Sequence, residues 1–402
     1  MIDTTPPVRD DAVEQQSVHL QELYRQLAED EAALEANAEV KQLTEEESRF
    51  AASQWGMIWR RFRRNKAAIV GGIIVLLYYA VALAGNFVAP YSLTNRYTDH
   101  VYLPPQQVHF IDDGKIKPFV YGIESGYDKN LRRTHKSTDE KLYLRFFAKG
   151  ERYNFLGIFE SDIHLFLADG DQIVSLLGTD RQGRDMFSRI VLGSQISLTV
   201  GLIGVILSLV LGTVLGIVSG YYGGVVDEVI QRLIEIVRAF PQIPLWMALS
   251  AAVPPGWDQV KTYFAVTLIL SLIGWTWLAR QLRGQVLALR ESDYVMAARL
   301  AGASDSRIIF KHLVPATVGQ IIVVATLSLP AMIMAETALS FVGLGLRPPT
   351  TSWGVLLQEA QDLQSLALYP WVLSPALFIV VVVLAFSFLG DGLRDAADPY
   401  TI

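Results

Sequence analysis

Cysteine is absent from all 402 residues, which excludes disulfides, thiolate nucleophiles and cysteine-based metal sites. Histidine is scarce, and the six (His19, His100, His109, His135, His164 and His312) fall in separate regions without H-x-x-x-H spacing, so no metal site is expected. No G-x-x-x-x-G-K-[ST] run occurs, and without that backbone cradle for phosphates the chain is not expected to hydrolyse ATP. Nor does any one stretch gather a nucleophile, a base and a metal-ligand set, which argues against an enzyme. Charge is also sparse, at 18% of residues against 51% hydrophobic.

What fills the chain instead is a series of apolar runs. They lie at about 67–89, 196–220, 229–253, 263–280, 315–340 and 371–390, each near the ~20 residues that cross ~30 Å of hydrocarbon. The pattern predicts an all-α polytopic membrane protein with six spans and both termini on one side. Arg60, Arg61, Arg63, Arg64 and Lys66 precede the first span, and Arg280, Arg283, Arg290, Arg299, Arg307 and Lys311 lie between the fourth and fifth. Only Lys261 and Arg347 mark the loops after the third and fifth spans, so the termini and the 292–315 loop are expected in the cytoplasm. The first apolar run starts too far from Met1, and is too long, for a cleaved signal.

Residues 1–54 carry thirteen carboxylates against four basic residues, a net charge of −9 beside −6 for the whole chain. Leu20, Leu23, Tyr24 and Leu27 recur there at helical spacing, predicting an amphipathic cytoplasmic helix that is either solvated or in contact with a partner. Across 55–66, Trp55, Ile58, Trp59 and Phe62 make an aromatic stripe opposite arginines, which predicts a helix lying in the membrane interface. The first span then runs 67–89, and residues 90–178 form an external insertion. Val108–Ile111, Asp113-Gly114 and Ile116–Tyr121 read as a hairpin, and Leu142, Leu144 and Phe146 alternate before a turn expected at Lys149-Gly150. Tyr153, Phe155, Phe159 and 164–167 add strand-like runs, so a small β-rich subdomain is expected, as a recognition surface or as a stabilising cap. A core of five further spans is assigned to 179–392, with a coupling loop at 284–314, and a cytoplasmic tail to 393–402.

The polar segment Ser292 to Pro315 reads as helix, glycine turn, helix. Ser292 or Asp293 caps the first, Gly302 adopts the left-handed conformation that ends it, and Ser304 or Asp305 caps the second. Ala297, Ala298 and Ala301 flatten one face for a partner groove, with Arg299, Arg307 and Lys311 around it. At the entrance to the second span, Leu177-Gly178-Thr179-Asp180-Arg181-Gln182-Gly183-Arg184-Asp185 is dense in turn and cap residues, and Asp180 can pair with Arg184. Ser208, Gly212, Gly216 and Gly220 then form a small-residue stripe, for packing within the chain or for pairing with a second subunit. Glu228, Arg232, Glu235 and Arg238 recur at spacings of three and four before Pro241 and Pro244, which can kink the third span. Glu235 and Arg238 either border a pathway or pair structurally. After the fifth span, Glu336, Ser340, Gly343, Gly345, Pro348-Pro349 and Ser352-Trp353-Gly354 suggest a shaped external loop.

The loop with Ala297, Ala298, Gly302 and His312-Leu313-Val314-Pro315 resembles the coupling loop of ABC importer permeases, although Met296 stands where that family often has Glu. The 177–193 run, the 336–354 run and Gly390-Asp391-Gly392-Leu393-Arg394-Asp395 with Asp398-Pro399 resemble the second permease subunit of dipeptide and oligopeptide importers, with Gln195 in place of a frequent Arg. The resemblance implies the type I ABC importer permease fold in a bacterial inner membrane. The implied partners are a second permease, two ATPase subunits and an extracytoplasmic solute-binding protein, with no nucleic acid. It implies no catalytic residue or cofactor in this chain, with ATP and Mg in the ATPases. It assigns ATPase coupling to Tyr294, Ala297, Ala298, Arg299, Gly302, Ala303, Ser304 and Pro315, and the external mouth or gate to Asp180, Arg184, Glu336, Ser340 and Trp353. Peptides lead as solute, with oligosaccharides, opines and metal complexes behind. The competing class, a secondary transporter or channel driven by an ion gradient, tends to show inverted repeats and midplane charges, and no repeat is visible between the halves.

Overall fold

A computed structural model of the chain describes residues 56, 58–127, 129, 133–155, 157–169, 172–254 and 256–397. The acidic segment 1–54, the start of the interfacial stripe at Trp55 and the Asp398-Pro399 ending lie outside the described residues. Residues 58–62 are helical.

Helix α1 (Lys66–Leu83) begins where the Asn65 side chain accepts the backbone N–H of Ala68, at 3.1 Å. After it come a short turn of helix, Gly85–Val88, and a four-stranded antiparallel meander. Strands β1 (His109–Asp112) and β2 (Lys115–Tyr127) meet at Asp113-Gly114, both with positive φ, as the primed hairpin turn requires. Strand β3 (Arg133–Phe155) pairs β2 through its first half and β4 (Phe159–Ala168) through its second. The turn expected at Lys149-Gly150 is absent: β3 runs through it, and the β3–β4 register shifts between Lys149 and Tyr153. Gly150 is there for close approach, because a Cβ on it would lie 2.7 Å from the His164 ring. Val120, Leu142 and Val174 form the small core under the sheet.

Helix α2 (Met186–Tyr222) is capped by Asp185, whose carboxylate accepts from Ser188 N–H at 2.7 Å, and stops at Gly223, φ 66°. Its small-residue stripe packs inside the chain on α5 (Gln259–Leu289). Gly212 faces Trp275 and Leu278, Gly216 faces Ala279 and Leu282, and Gly220 faces Arg283 and Val286. Numbers rise together along both helices, so α2 and α5 run parallel. The chain between them must therefore return to the end from which α2 started.

That return is made by two helices rather than the single span expected over 229–253. They are α3 (Gly224–Ala239) and α4 (Gln242–Ala251), with Phe240 extended at φ −88°, ψ 138°. A residue before proline is pushed out of the helical region, so Pro241 breaks the run at Phe240. Pro244 sits in the first turn of α4, where no amide hydrogen bond is lost. Ile230 and Ile234 of α3 pack on Trp275 and Ala279 of α5.

Helix α6 (Asp293–Leu300) and the short α7 (Asp305–Ile308) follow. A widened turn, Ile309–Leu313, joins α7 to α8 (Val314–Phe341), so the expected fifth span begins ten residues before Pro315 as one 37-residue rod from Asp305 to Phe341. Helix α9 (Trp353–Glu359) and the final helix α10 (Ser374–Ala397) complete the chain. Helix α10 packs antiparallel on α1, with Gly392 against Ala68 and Gly71 against Ala385. Among the described residues, five helical stretches are long and apolar enough to cross a membrane: 66–83, 186–222, 259–289, 305–341 and 370–397.

Candidate functional site: a helical loop and an opposite charged clasp

The loop after α5 is fixed before it is shaped. Arg283 holds Asp227 through two bonds of 2.5 Å, and Arg290 donates to the last carbonyls of α2, Gly220 at 3.2 Å and Tyr221 at 3.3 Å. Ser292 Oγ bonds back to Leu289 O and makes no capping bond to α6. Gly302 has φ 78°, and the N–H groups of Ala301, Gly302 and Ala303 return to Ala297, Arg299 and Ala298, closing the end of α6. Ser304 caps α7 by accepting from Arg307 N–H.

Val295, Ile308 and Leu313 are fully buried against Ile217, Tyr221 and Val286, so both short helices are pinned to the ends of α2 and α5. Tyr221 donates to Asp305 Oδ1 at 2.7 Å, and Arg299 lies 6.0 Å over the Tyr221 ring. The outward side carries apolar residues, Tyr294, Met296, Ala297, Ala301, Leu300 at 89% exposure and Phe310 at 73%, among exposed charges at Asp293, Arg299, Arg307 and Lys311. Of the expected coupling residues, Tyr294, Ala297, Arg299, Gly302, Ser304 and Pro315 are exposed, whereas Ala298 and Ala303 are half-buried on the anchoring cluster. The flat three-alanine face is therefore corrected, since Ala298 turns inward. Leu300 and Phe310, the most exposed apolar residues of the loop, were missed; Leu300 stands alone between Arg299 and Ala301, and Phe310 ends the apolar Ile308-Ile309-Phe310 run, whose first member is buried.

At the opposite ends of α2 and α8 the chemistry inverts. Asp180 Oδ1 accepts from the N–H groups of Gln182 and Arg184, at 2.7 and 2.9 Å. Its Oδ2 accepts from Arg184 Nε at 2.7 Å and Arg189 Nη1 at 2.6 Å. Both arginines also reach Glu359 Oε2 at 2.7 Å. Two guanidiniums and two carboxylates thus clasp α9 onto the start of α2, with Asp180, Arg184 and Arg189 buried. Burial pushes the Glu359 carboxyl up, but Arg189 and Arg184 outweigh it and hold the group below its usual range. At neighbouring Asp185 burial prevails and raises the carboxyl, against bonds from Ser175 and Ser188. Arg189 belongs to the 177–193 run, but Glu359 was not singled out from sequence, because it lies 170 residues from that partner.

Beside the clasp, Glu336 accepts from Ser197 Oγ at 3.0 Å and Ser340 Oγ at 2.8 Å. Ser340 Oγ takes the N–H of Leu346, and Ser197 Oγ takes that of Trp353. The Trp353 indole, fully buried, donates to Ile190 O at 3.0 Å. Glu336, Ser340 and Trp353 therefore fasten the 342–359 segment to α2 and α8. Glu235 and Arg238 do not pair with each other: Glu235 binds Arg232 at 2.9 Å, while Arg238 lies 5.9 Å over Trp277. Among the described residues no group of His, Asp or Glu is placed to hold a metal.

The sequence has counterparts among known proteins. Residues 212–401 match the family "Binding-protein-dependent transport system inner membrane component", and 53–105 match the "N-terminal TM domain of oligopeptide transport permease C". The dipeptide transport system permease protein DppC of Lactococcus lactis subsp. cremoris is 33% identical, over 89% of this chain and 93% of its own. The glutathione transport system permease protein GsiD of Salmonella paratyphi A is 34% identical, over 86% and 90%. An inward-facing structure of the MetNI methionine ABC transporter aligns over 52% of this chain and 97% of its own, at 19% identity and TM-score 0.41, a likeness too slight to bear on the fold.

Proposed function

The chain belongs to the binding-protein-dependent family of inner-membrane ABC importer permeases, and on that premise we propose that it carries peptide-sized solutes. It does so with a second permease, which completes the pathway, and an extracytoplasmic solute-binding protein, which delivers the solute. The peptide assignment rests on the dipeptide and glutathione permeases to which the chain is similar.

Two ATPase chains, holding ATP and Mg, seat on α6 and α7. The observation that carries this reading is the loop itself: Tyr294, Met296, Leu300 and Phe310 are exposed on a platform that buried Val295, Ile308 and Leu313 hold rigid. Free apolar side chains on a fixed scaffold suit an anchor-in-groove contact. Closure of the ATPases would move α6 and α7 with α2 and α5, which they grip, as a rigid body. The coupling contact is assigned to Tyr294, Ala297, Arg299, Gly302, Ser304 and Pro315, extended to Met296, Leu300 and Phe310, with Ala298 and Ala303 as supports behind it.

Helices α3 and α4 supply the sixth crossing. Their 26 residues reach about 39 Å at 1.5 Å per residue, enough for ~30 Å of hydrocarbon, and the parallel packing of α2 and α5 demands a return. Six crossings put both termini and the 292–315 loop in the cytoplasm, with the 90–178 insertion outside. Asp180, Arg184, Glu336, Ser340 and Trp353 serve the external mouth by holding its loop in shape. Glu235, paired with Arg232, and Arg238, over Trp277, lie near the middle of that crossing, as charges that border the pathway or as structural pairing.

Purifying the tagged chain from its native membrane and identifying what co-elutes tests the assembly. The expected result is a second permease and ATPase chains, with ATP hydrolysis stimulated by the binding protein and peptide. A chain that elutes alone would contradict it.

A further inference from the structure

The β3–β4 hairpin carries large apolar side chains that the other described residues leave largely exposed. Phe147, Ile158 and Phe159 are all more than half exposed, with Ile158 at 78%. The tip is closed by Ile158 N–H to Phe155 O and by Gly157 at φ 70°, and the Phe155 and Phe159 rings stack at 5.2 Å. On an isolated sheet in water such a tip would be an adhesion site.

Its position identifies what covers it. Helix α1 has 18 residues, about 27 Å at 1.5 Å per residue, and the hydrocarbon core is ~30 Å thick. The end of α1 at Leu83 therefore marks a boundary of the core. The chain just past that end holds the hairpin. Asn86 Nδ2 donates to Asn154 O at 3.2 Å, and the Phe87 and Phe147 rings lie 6.0 Å apart. The two ring nitrogens of buried His164 face Ala89 O at 2.8 Å and Glu151 O at 3.0 Å. The hairpin is thus tethered at the level where α1 leaves the hydrocarbon. Leu76, Leu77 and Leu83 of α1 are themselves exposed and apolar, so its lipid-facing surface leads into the hairpin. Lys149 and Arg152, exposed on the same hairpin, suit the phosphate layer.

We infer that the β3–β4 hairpin, through Ile158 and Phe159 at its tip and Phe147 further back along β3, is seated in the lipid interface at the end of α1 opposite the basic 60–66 flank, and anchors the insertion against the bilayer. Apolar side chains such as Phe bury at the boundary between headgroups and acyl chains when basic residues beside them face the phosphates. The seat fixes the height and tilt of the sheet without using the clasp or the cytoplasmic loop.

The absence of native cysteine allows a direct test. The complete transporter, carrying I158C or, as a control at the far end of β3, K136C, is labelled with a polarity-sensitive fluorophore and placed in phosphatidylcholine–phosphatidylglycerol nanodiscs. The expected result at I158C is a blue shift and quenching by doxyl-labelled lipid but not by aqueous iodide, with the opposite pattern at K136C. Labelling at E160C, one residue from Phe159, repeats the reading at a polar position should I158C fold poorly. Quenching by iodide at both hairpin positions would overturn the inference. So would protection from both quenchers, or protection that appears only with the binding protein, since a protein surface would then be the occupant. None of these readouts depends on ATPase docking, so failure here is distinguishable from failure of the proposed function.

Discussion

The two ends of the helical core are built in opposite ways. At one end the 292–315 loop buries its anchors and leaves Leu300 and Phe310 in the open. At the other, Asp180, Arg184, Arg189 and Glu359 bury charge and pair it, while Glu336 and Trp353 make their hydrogen bonds inside. Exposed apolar surface on a rigid support is a demand for a partner, whereas buried and paired polar groups are a means of holding shape. The residues that resemblance assigned to an external mouth or gate are hydrogen-bonded or ion-paired within the chain, and the loop is the surface proposed to receive another molecule.

The largest expected effect comes from opening the clasp. Arg189→Met leaves Asp180 and Glu359 with too little positive charge, a change of about 3–5 kcal/mol for a broken buried pair. It should appear as a marked fall in the unfolding temperature of the purified transporter. Adding Glu359→Leu should recover most of the loss, because Arg184 and Asp180 are then left as a one-to-one pair. If Arg189→Met alone leaves stability unchanged, the clasp is not a fastener.

Next in size is the α2–α5 seam. A Cβ on Gly216 would sit 2.7 Å from Ala279 O, and Gly216→Leu should cost about 1–3 kcal/mol as overpacking, read by denaturant unfolding. A subunit-pairing role for the stripe would instead predict loss of the second permease with this chain's own stability intact.

A pH dependence separates the two ends further. Glu359 is held below its ordinary value in the folded chain, so its contribution is complete above the unfolded value and disappears as pH falls through the folded one. Melting temperature should therefore drop as pH is lowered through and below the ordinary carboxylate range, and Glu359→Gln should flatten that slope. An unaltered slope in Glu359→Gln would remove the clasp as its source.

Most of this architecture was legible where a signal is local. Apolar runs marked the spans, Asp113-Gly114 marked the hairpin, and Gly302 and Ser304 marked the break between α6 and α7. Signals that depend on distant partners were not legible. Gly150 reads as a turn residue, yet it is required by the His164 ring packed against it. Glu359 reads as an ordinary helix-end carboxylate until Arg184 and Arg189 meet it. The third span was expected to kink at Pro241 and Pro244, and hydropathy alone did not show that the kink is a full break with Phe240 extended. The stripe of Gly212, Gly216 and Gly220 promised close packing but could not name its partner, which proved to be α5.

The smallest effect on stability is expected from Leu300→Asp with Phe310→Asp, both at exposed positions, within about 0.5 kcal/mol each. That pair also gives the most direct test of the account. The double variant should fold, insert and melt like the wild type, yet lose its ATPase chains on purification and with them solute-stimulated ATP hydrolysis. If the variant retains the ATPases and full coupled activity, the apolar face of the 292–315 loop is not where energy enters this permease.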